Sequence, residues 1–275
     1  MMDSSPGPSP TMKGTTMASG KIVGIRRDRI VELLSRKGKV SVEELSAELG
    51  VSEVTVRRDL ALLQESGMLT RRHGEAVVLP SSPEILPEKE LAEKDAINMN
   101  EKRRIAEAAV SLVSADDILF MNSGSTILCL MRAIRGLGLR VITNNAAAID
   151  ERLDPSIDLM MLGGEYREQS RSLVGEFALN TLRDIWSSHT FLGTNGVSLE
   201  RGLTTSVYQE CSVNQAMIRN THGKVIVLAD YSKMDKVANF VSSPISSVDV
   251  IVTDDKCPPA FAQRLRDAGI EVIIA

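Results

Sequence analysis

Residues 41–79 read SVEELSAELGVSEVTVRRDLALLQESGMLTRRHGEAVVL, and this stretch decides the fold of the N-terminal part of the chain. Ser41 can cap a first helix, and Glu44 three residues later completes a capping box. Gly50 can adopt the left-handed conformation that ends a helix without a Cβ penalty. The pattern therefore predicts two short amphipathic helices that meet at Gly50, with Ser52 capping the second.

The second of these helices is expected to present a polar, basic face to solvent. Val56, Leu60 and Leu63 form its apolar stripe. The residues on its outer side that we predict to contact DNA are Ser52, Glu53, Thr55, Arg57 and Arg58. Arginine can bridge guanine edges or phosphates with two hydrogen bonds, and threonine can contact a thymine methyl group or a phosphate.

A basic hairpin follows this helix, with Arg71, Arg72 and His73 expected on the DNA backbone and Gly74 in the turn. An upstream helix over residues 26–37 completes a three-helix core. This layout is that of a winged helix-turn-helix, which places its second helix in the major groove. The alternative is a solvated basic helix in a generic helical domain, but the cap, turn, stripe and hairpin all favour the DNA binder.

Charge and composition divide the chain in the same way. Residues 21–79 carry a net charge of +2 and residues 80–275 a net charge of −6, within an overall −4 over 275 residues. A basic module on an acidic body is expected of a specific DNA binder. Apolar runs fall short of the ~20 residues that a membrane span needs. Residues 1–20 lack the apolar core of a secretory signal and are expected to be disordered, so we predict a cytoplasmic protein.

The domain boundaries are predicted from proline and from composition. The prolines at 80, 83 and 87 indicate a linker over residues 80–94, between the DNA-binding domain at 21–79 and a larger domain at 95–275. The three cysteines, at 129, 211 and 257, are few and widely separated. They are expected to be reduced packing residues, neither disulfide-bonded nor metal-bound.

The larger domain alternates apolar strands with helical patterns, beginning with a helix over residues 88–113. The predicted strands cover residues 118–121, 140–143, 159–162, 190–193, 224–228, 248–252 and 272–274. Short apolar runs separated by helices predict an α/β fold with a largely parallel sheet covered on both faces. Ligands of such folds bind beyond the carboxyl ends of the strands.

Small, polar, glycine-bearing loops follow several of these strands. Residues 122–126 (NSGST) lead into a helix, and their backbone N–H groups and hydroxyls would cradle a phosphate. The residues that we predict to bind an anionic small molecule are Asn122, Ser123, Gly124, Ser125, Thr126, Asn145, Gly164, Glu165, Arg167, Asn195, Glu210 and Lys233. The structural alternative treats the glycines as turn residues and the Asn and Thr residues as helix caps, and it is expected to hold for some of them.

These motifs together resemble the DeoR family of transcriptional regulators from about residue 24 to the end of the chain. The match rests on TVRRDL in the second helix and then, in order, on NSGST, ITNN, LGGEYR, SLVGEFA, FLGTNGV, GLTT and ADYSK. The resemblance implies a winged helix-turn-helix joined to a sensor domain related to ribose-phosphate isomerase and glucosamine-phosphate deaminase. It also implies a homodimer or homotetramer that represses a carbohydrate-catabolism operon under control of a phosphorylated sugar.

Three single positions and one short segment depart from the family pattern. Glu75 stands where a second glycine is usual in the wing, and residues 234–236 (MDK) replace a small residue or glycine. Asn195 replaces a common aspartate and Asn214 a common lysine. These changes are compatible both with a different effector and with a weakened site.

The alternative function is enzymatic: a sugar-phosphate isomerase or deaminase fused to the DNA-binding module. Such an enzyme needs a positioned general base and a partner that handles the hydroxyl proton, for which Glu210, Asp230 and Lys233 are candidates. Asn195 cannot accept a proton near neutral pH, and the candidate loops lack histidine. We therefore predict a regulator without catalytic residues, metal or cofactor, whose partners are operator DNA and a phosphorylated sugar.

Overall fold

The computed structural model describes residues 26–65 apart from 28, 32 and 35–38, then 70–72, 75–77 and 90–275. The chain divides into two compact units, Met1–Leu79 and Pro80–Ala275. The predicted tail (1–20) and residues 80–89 of the predicted linker lie outside the described residues. Residues 91–94, assigned to the linker from sequence, are helical.

The first unit contains a helix-turn-helix. Residues 26, 27, 29–31, 33 and 34 are helical, and strand β1 (Lys39–Ser41) leads into helices α1 (Val42–Leu49) and α2 (Glu53–Glu65). The predicted capping box of Ser41 and Glu44 is formed in both directions. Gly50 ends α1 with a φ of 63°, in the left-handed region.

The predicted hairpin pairs β2 (Thr70–Arg72) with β3 (Glu75–Val77) in antiparallel register, so that Arg72 faces Glu75. Strand β1, which the sequence analysis did not predict, adds to β3 and completes a three-stranded sheet in the order β1-β3-β2. The apolar stripes meet as expected, because Ile30, Leu34, Leu45 and the α2 residues Val56 and Leu60 are almost fully buried. A helix-turn-helix with a β-sheet wing is therefore confirmed.

The second unit is built on a seven-stranded sheet in the order β15-β14-β12-β9-β4-β5-β6, with every neighbouring pair parallel. Its strands are β4 (Ile118–Met121), β5 (Arg140–Thr143), β6 (Asp158–Met161), β9 (His189–Gly193), β12 (Val225–Leu228), β14 (Val250–Thr253) and β15 (Glu271–Ile274). All seven predicted strands are present, with their ends shifted by at most two residues. The predicted α/β class is confirmed.

Helices cover both faces of this sheet, because alternate strand residues point to opposite sides. Leu119 and Met121 pack on one side with α3 (Leu91–Ala96), α4 (Met99–Val110) and α5 (Ser125–Ala133). Phe120 packs on the other side with α6 (Glu176–Leu182), α7 (Tyr208–Arg219) and α8 (Pro259–Asp267). The three cysteines are buried and free, as expected of packing residues.

Five short antiparallel strands were not predicted from the sequence. A hairpin joins β7 (Glu165–Arg167) to β8 (Ser172–Val174), and a second sheet joins β10 (Gly196–Ser198), β11 (Gly202–Thr205) and β13 (Phe240–Ser243). These segments are only three or four residues long, and four of the five contain Gly, Ser or Thr, so their sequence resembles that of loops.

The single helix predicted over residues 88–113 is broken in two. Asn98 adopts a left-handed conformation with φ of 52°, and its side-chain amide donates to Asp230 Oδ1 at 3.0 Å. Asparagine tolerates this conformation better than most residues. The break separates α3 from α4. No helix among the described residues is long and apolar enough to span a membrane.

Candidate functional site: a helix face and a strand-end cavity

The outer face of α2 carries the predicted DNA contacts. Arg57 and Arg58 are exposed, and Arg57 forms an ion pair with Glu53 at 2.9 Å. Ser52 begins the helix, with its Oγ accepting from the Thr55 backbone N–H at 3.4 Å. Val54, which is 77% exposed, was not singled out from the sequence. A solvated apolar side chain on this face could contact a thymine methyl group.

An ion-pair cluster holds α2 against the preceding helical segment. Asp59 is buried, and its carboxylate accepts from Arg26 at 2.6 Å and from Arg27 at 3.2 Å. Because Asp59 follows the exposed pair Arg57 and Arg58, the cluster fixes the inner side of the helix whose outer side is basic. Arg71 and Arg72 lie in β2, while His73 and the side chains of both arginines lie outside the described residues.

A cavity of about 290 Å³ opens where β4, β9 and β12 end. Parallel strands bring their carboxyl ends to one edge of the sheet, so the loops that follow them meet there. We call this the strand-end cavity. Of the predicted effector residues, the following line it: Asn122, Ser123, Gly124, Ser125, Thr126, Asn195, Glu210 and Lys233.

The loop after β4 presents the start of α5 to the cavity. Gly124 takes a φ of 143°, which places Ser125 and Thr126 in the first turn of the helix. Both hydroxyl residues are buried. The first backbone N–H groups of a helix have no partner within it and carry partial positive charge, which makes them donors for an anion.

Two lysines that were not predicted also line the cavity, Lys94 on α3 and Lys102 on α4. Lys102 is buried, and its Nζ donates to the backbone oxygen of Lys94. Burial lowers the pKa of Lys102, and the nearby Asp230 carboxylate opposes that effect. Lys102 lies three residues before Ile105 on the apolar face of α4. A cation at such a core position is a sequence signal that could have identified Lys102 as a cavity residue.

Asp230 completes the charged end of the cavity. It is buried, and its Oδ1 accepts from Asn98 at 3.0 Å and from the backbone N–H of Ser232 at 2.9 Å. Lys94, Lys102 and Lys233 together with Asp230 give this end a net charge of +2. An anionic group is therefore favoured there.

Neutral amides form another part of the lining. Asn122 donates to Asn214 Oδ1 at 3.0 Å, and Asn214 donates to Ser242 Oγ at 3.0 Å. Asn195 Oδ1 accepts from Thr205 Oγ1 at 3.0 Å and from the Ser206 backbone N–H at 3.2 Å. Asn195 and Asn214, two of the positions that differ from the expected family pattern, both line the cavity but belong to separate hydrogen-bonded groups.

Comparison with known proteins shows to which family the chain belongs. The family model described as the DeoR C-terminal sensor domain matches residues 97–255. The chain belongs to the DeoR family. A second model, described as a DeoR-like helix-turn-helix domain, matches residues 26–82, so both parts of the DeoR arrangement are present.

Relatives of this DeoR-family chain match it over most of its length. It is 33% identical over 252 residues to a protein of Escherichia coli O157:H7 named as an aga operon transcriptional repressor, covering 90% of this chain and 93% of that protein. It is 33% identical over 243 residues to the lactose phosphotransferase system repressor of Lactococcus lactis subsp. lactis, covering 87% and 94%. Ribose 5-phosphate isomerase A from Methanocaldococcus jannaschii matches with a TM-score of 0.35 and 18% identity, over 50% of this chain and 55% of its own. That likeness is too distant to bear on function.

Four predicted effector residues of this DeoR sensor domain do not line the cavity. Asn145 is buried behind it and donates to the Gly124 backbone oxygen at 3.2 Å, which supports the loop. Gly164, Glu165 and Arg167 belong to the β7–β8 hairpin region. Gly164 meets a packing demand, because a Cβ there would lie 2.3 Å from the Val174 backbone oxygen. The glycine pattern that suggested an anion loop is thus explained by a close backbone approach.

Proposed function

We propose that this chain represses a carbohydrate-catabolism operon by binding operator DNA, and that a phosphorylated sugar in the strand-end cavity switches this binding. Two relatives carry names that support the first half, an aga operon repressor and a repressor of the lactose phosphotransferase system. The observation that carries the second half is the charged end of the cavity, where three lysines meet the start of α5.

The phosphate is proposed to bind at that charged end. A phosphate monoester carries about −1.5 to −2 charges at pH 7 and three strong acceptor oxygens. Ser125, Thr126 and the first N–H groups of α5 supply donors, and Lys102 supplies a charge that burial has stripped of water. The sugar hydroxyls would then face the amides of Asn122, Asn195 and Asn214.

Binding without turnover is the activity that we propose for this cavity. Asp230, one of the candidate bases, is already held by Asn98 and by Ser232, so it is fixed as a structural acceptor. Glu210, another candidate, accepts hydrogen bonds from the hydroxyl groups of Ser172 and Thr205. Two related proteins with high coverage are named as repressors, and none of these contacts arranges a proton-transfer pair on a substrate.

On DNA, we propose that two copies of the chain place their α2 helices in successive major grooves of a repeated operator. Ser52, Glu53, Thr55, Arg57 and Arg58 would read bases or phosphates, while Arg71, Arg72 and His73 would contact the backbone. A ligand can switch such an assembly only if it binds one arrangement of the sensor units better than another.

The test uses purified full-length protein and a duplex selected from genomic fragments for tight binding. Operator affinity is measured by fluorescence anisotropy with and without a panel of sugar phosphates. At least one ester should change that affinity. Ser125→Ala combined with Thr126→Ala should remove the response and leave affinity without ester unchanged. Lys224→Ala, which removes an exposed lysine paired with Glu271, is the control that should keep the response.

A chain that binds its selected duplex no better than random fragments would contradict the proposed repressor. Selective binding that no ester alters would contradict the proposed effector. Conversion of ribose 5-phosphate or glucosamine 6-phosphate by the protein, lost in Glu210→Ala, would favour the enzyme instead.

A further inference from the structure

Glu210 is a buried carboxylate in the strand-end cavity that lacks a matching positive charge. It lies in the first turn of α7 and is 9% exposed. Its Oε1 accepts from Ser172 Oγ at 3.1 Å, and its Oε2 accepts from Thr205 Oγ1 at 3.3 Å. Among residues 90–275 and the described part of the first unit, no lysine, arginine or histidine forms an ion pair with it.

The two hydroxyl donors do not satisfy this carboxylate. A carboxylate offers about four lone-pair sites, whereas a hydroxyl has one hydrogen to donate. The Thr205 hydroxyl also lies 3.0 Å from Asn195 Oδ1, which competes for that hydrogen. A buried carboxylate without a cation or a full set of donors is costly, so the group is suited to a ligand that supplies both.

The neighbouring side chains leave this charge unmatched. Asn122, Asn195 and Asn214 are uncharged amides, and Asn214 occupies the next turn of the same helix, four residues after Glu210. Lys102 belongs to a separate group of charges, because those that act on it are the charges of Asp230, Lys233 and Asp95. The cavity therefore has a cationic end with a net charge of +2 and a carboxylate elsewhere in its wall.

Building on the proposed function, we propose that the effector is an amino-sugar phosphate whose free ammonium group binds Glu210. The phosphate, with about −1.5 to −2 charges, matches the cationic end and leaves Glu210 as the remaining unpaired charge. An ammonium group carries three donors and one positive charge, so it supplies what Ser172 and Thr205 do not. A sugar hydroxyl at that position would supply a donor but no charge.

The experiment compares esters that differ at one position, by isothermal titration of the full-length protein at pH 7. The pairs are glucosamine 6-phosphate with glucose 6-phosphate, and galactosamine 6-phosphate with galactose 6-phosphate, with the N-acetylated esters as a third set. In at least one pair the amino ester should bind at least about tenfold tighter than the parent ester, a difference of ~1.4 kcal/mol. N-acetylation should abolish this advantage, because it removes the charge.

Glu210→Gln keeps the size of the side chain and removes its charge. This variant should weaken binding of the amino ester and bring the amino and parent esters within about twofold of each other. Unfolding followed by the fluorescence of Trp186, the one tryptophan of the chain, checks that the variant folds. Lys102→Ala should weaken both esters equally.

The outcomes separate this proposal from the one on which it rests. If a parent or N-acetylated ester binds as tightly as the amino ester in every pair and changes operator affinity, the amino-sugar assignment is wrong and the phosphorylated-sugar effector stands. If Glu210→Gln weakens both members of a pair equally, Glu210 does not recognise the amino group. Binding of none of these esters overturns the assignment as well.

Discussion

Asp59 and Lys102 are buried charged residues, one in each unit, and they differ in what compensates for their burial. Helical periodicity places each on a helix face, yet a carboxylate or an ammonium group stays buried only where a partner compensates for lost hydration. Asp59 has two arginine partners, and Lys102 has a backbone oxygen and a nearby aspartate. The first residue serves structure, whereas the second lies in a cavity.

Asp59→Ala should destabilise the DNA-binding unit by about 3 kcal/mol, because it leaves two arginines facing a site that held their counter-ion. Arg26 and Arg27 are partly exposed, which limits the cost. The measurement is urea unfolding followed by far-UV circular dichroism, with Trp186 fluorescence as the internal control for the second unit. A loss of stability reported equally by both signals would contradict the local role assigned to Asp59.

Lys102 should make stability of the second unit depend on pH. Burial lowers its pKa in the folded state below the ordinary 10.5, so between the lowered value and 10.5 the unfolded chain holds more protons. Stability therefore rises with pH across that window. Lys102→Met removes the titrating group and should abolish this rise. Any stability advantage of the variant over the parent protein should therefore shrink as the pH approaches 10.5. Urea unfolding monitored by Trp186 measures it, and parallel pH profiles for the two proteins would contradict it.

Side-chain roles were predictable from sequence where a motif fixes the geometry. The capping box of Ser41 and Glu44 and the left-handed Gly50 follow from local chemistry alone. Lys94, Lys102 and Asn214 reach the cavity only because the sheet order brings α3, α4 and α7 to one edge. Contacts between segments more than 90 residues apart, such as Asn122 with Asn214, cannot be derived from spacing.

Helix α2 is the element that we propose to read the operator DNA. Its buried side is fixed by Val56, Leu60 and Leu63, so its outer side is presented as a rigid surface. Arg57 already pairs with Glu53 on that surface. Arg58, which is also exposed, is therefore the arginine whose loss should weaken operator binding most directly.

Arg58→Ala should cost about 1–3 kcal/mol of operator affinity, which is typical of one arginine contact to a base. Arg140→Ala, which removes an exposed arginine of the second unit, is the matched control and should not change operator affinity. Fluorescence anisotropy at two salt concentrations separates base reading from a general loss of charge. Equal affinity of the Arg58 variant and the parent protein would show that α2 is docked differently.

The β7–β8 hairpin is the element that the sequence pattern misassigned. Gly164→Ala should destabilise the second unit by about 2–4 kcal/mol, because φ is 133° and the new Cβ would meet the Val174 backbone oxygen. Gly163→Ala is the control, since a Cβ there has open space. Trp186 fluorescence during urea unfolding compares the two variants. If the two variants unfold with the same free energy, residue 164 does not need to be glycine for packing.

Helices and strands that bury much apolar surface were predictable from the sequence, whereas those that bury little were not. The five inner parallel strands are largely buried and produce continuous apolar runs, and the partly exposed edge strands β6 and β15 also carry apolar runs, which identify them at once. The five antiparallel strands of the second unit are three or four residues long, and four of them contain Gly, Ser or Thr, so no hydrophobic period marks them. The break at Asn98 was hidden because residues on both sides favour a helix.

The whole molecule joins two units with different chemistry in one chain. Residues 21–79 carry a small positive charge and an exposed arginine face, while residues 80–275 are acidic overall but enclose a cationic cavity end. We expect this reversal of charge within an acidic body to favour an anion in the cavity. The domain order and fold class were predictable from sequence, whereas the charge of the cavity required the three-dimensional arrangement.

The most direct measurement is operator affinity of the full-length protein as a function of added phosphate ester. The account predicts a saturable change in affinity with the tightest-binding ester, and the same ester should raise the stability of the second unit by ~2.7 kcal/mol at 100 times its Kd. Both effects should disappear together in Lys102→Ala and persist in Lys224→Ala. An ester that alters operator affinity equally in both variants would show that the strand-end cavity is not the control site.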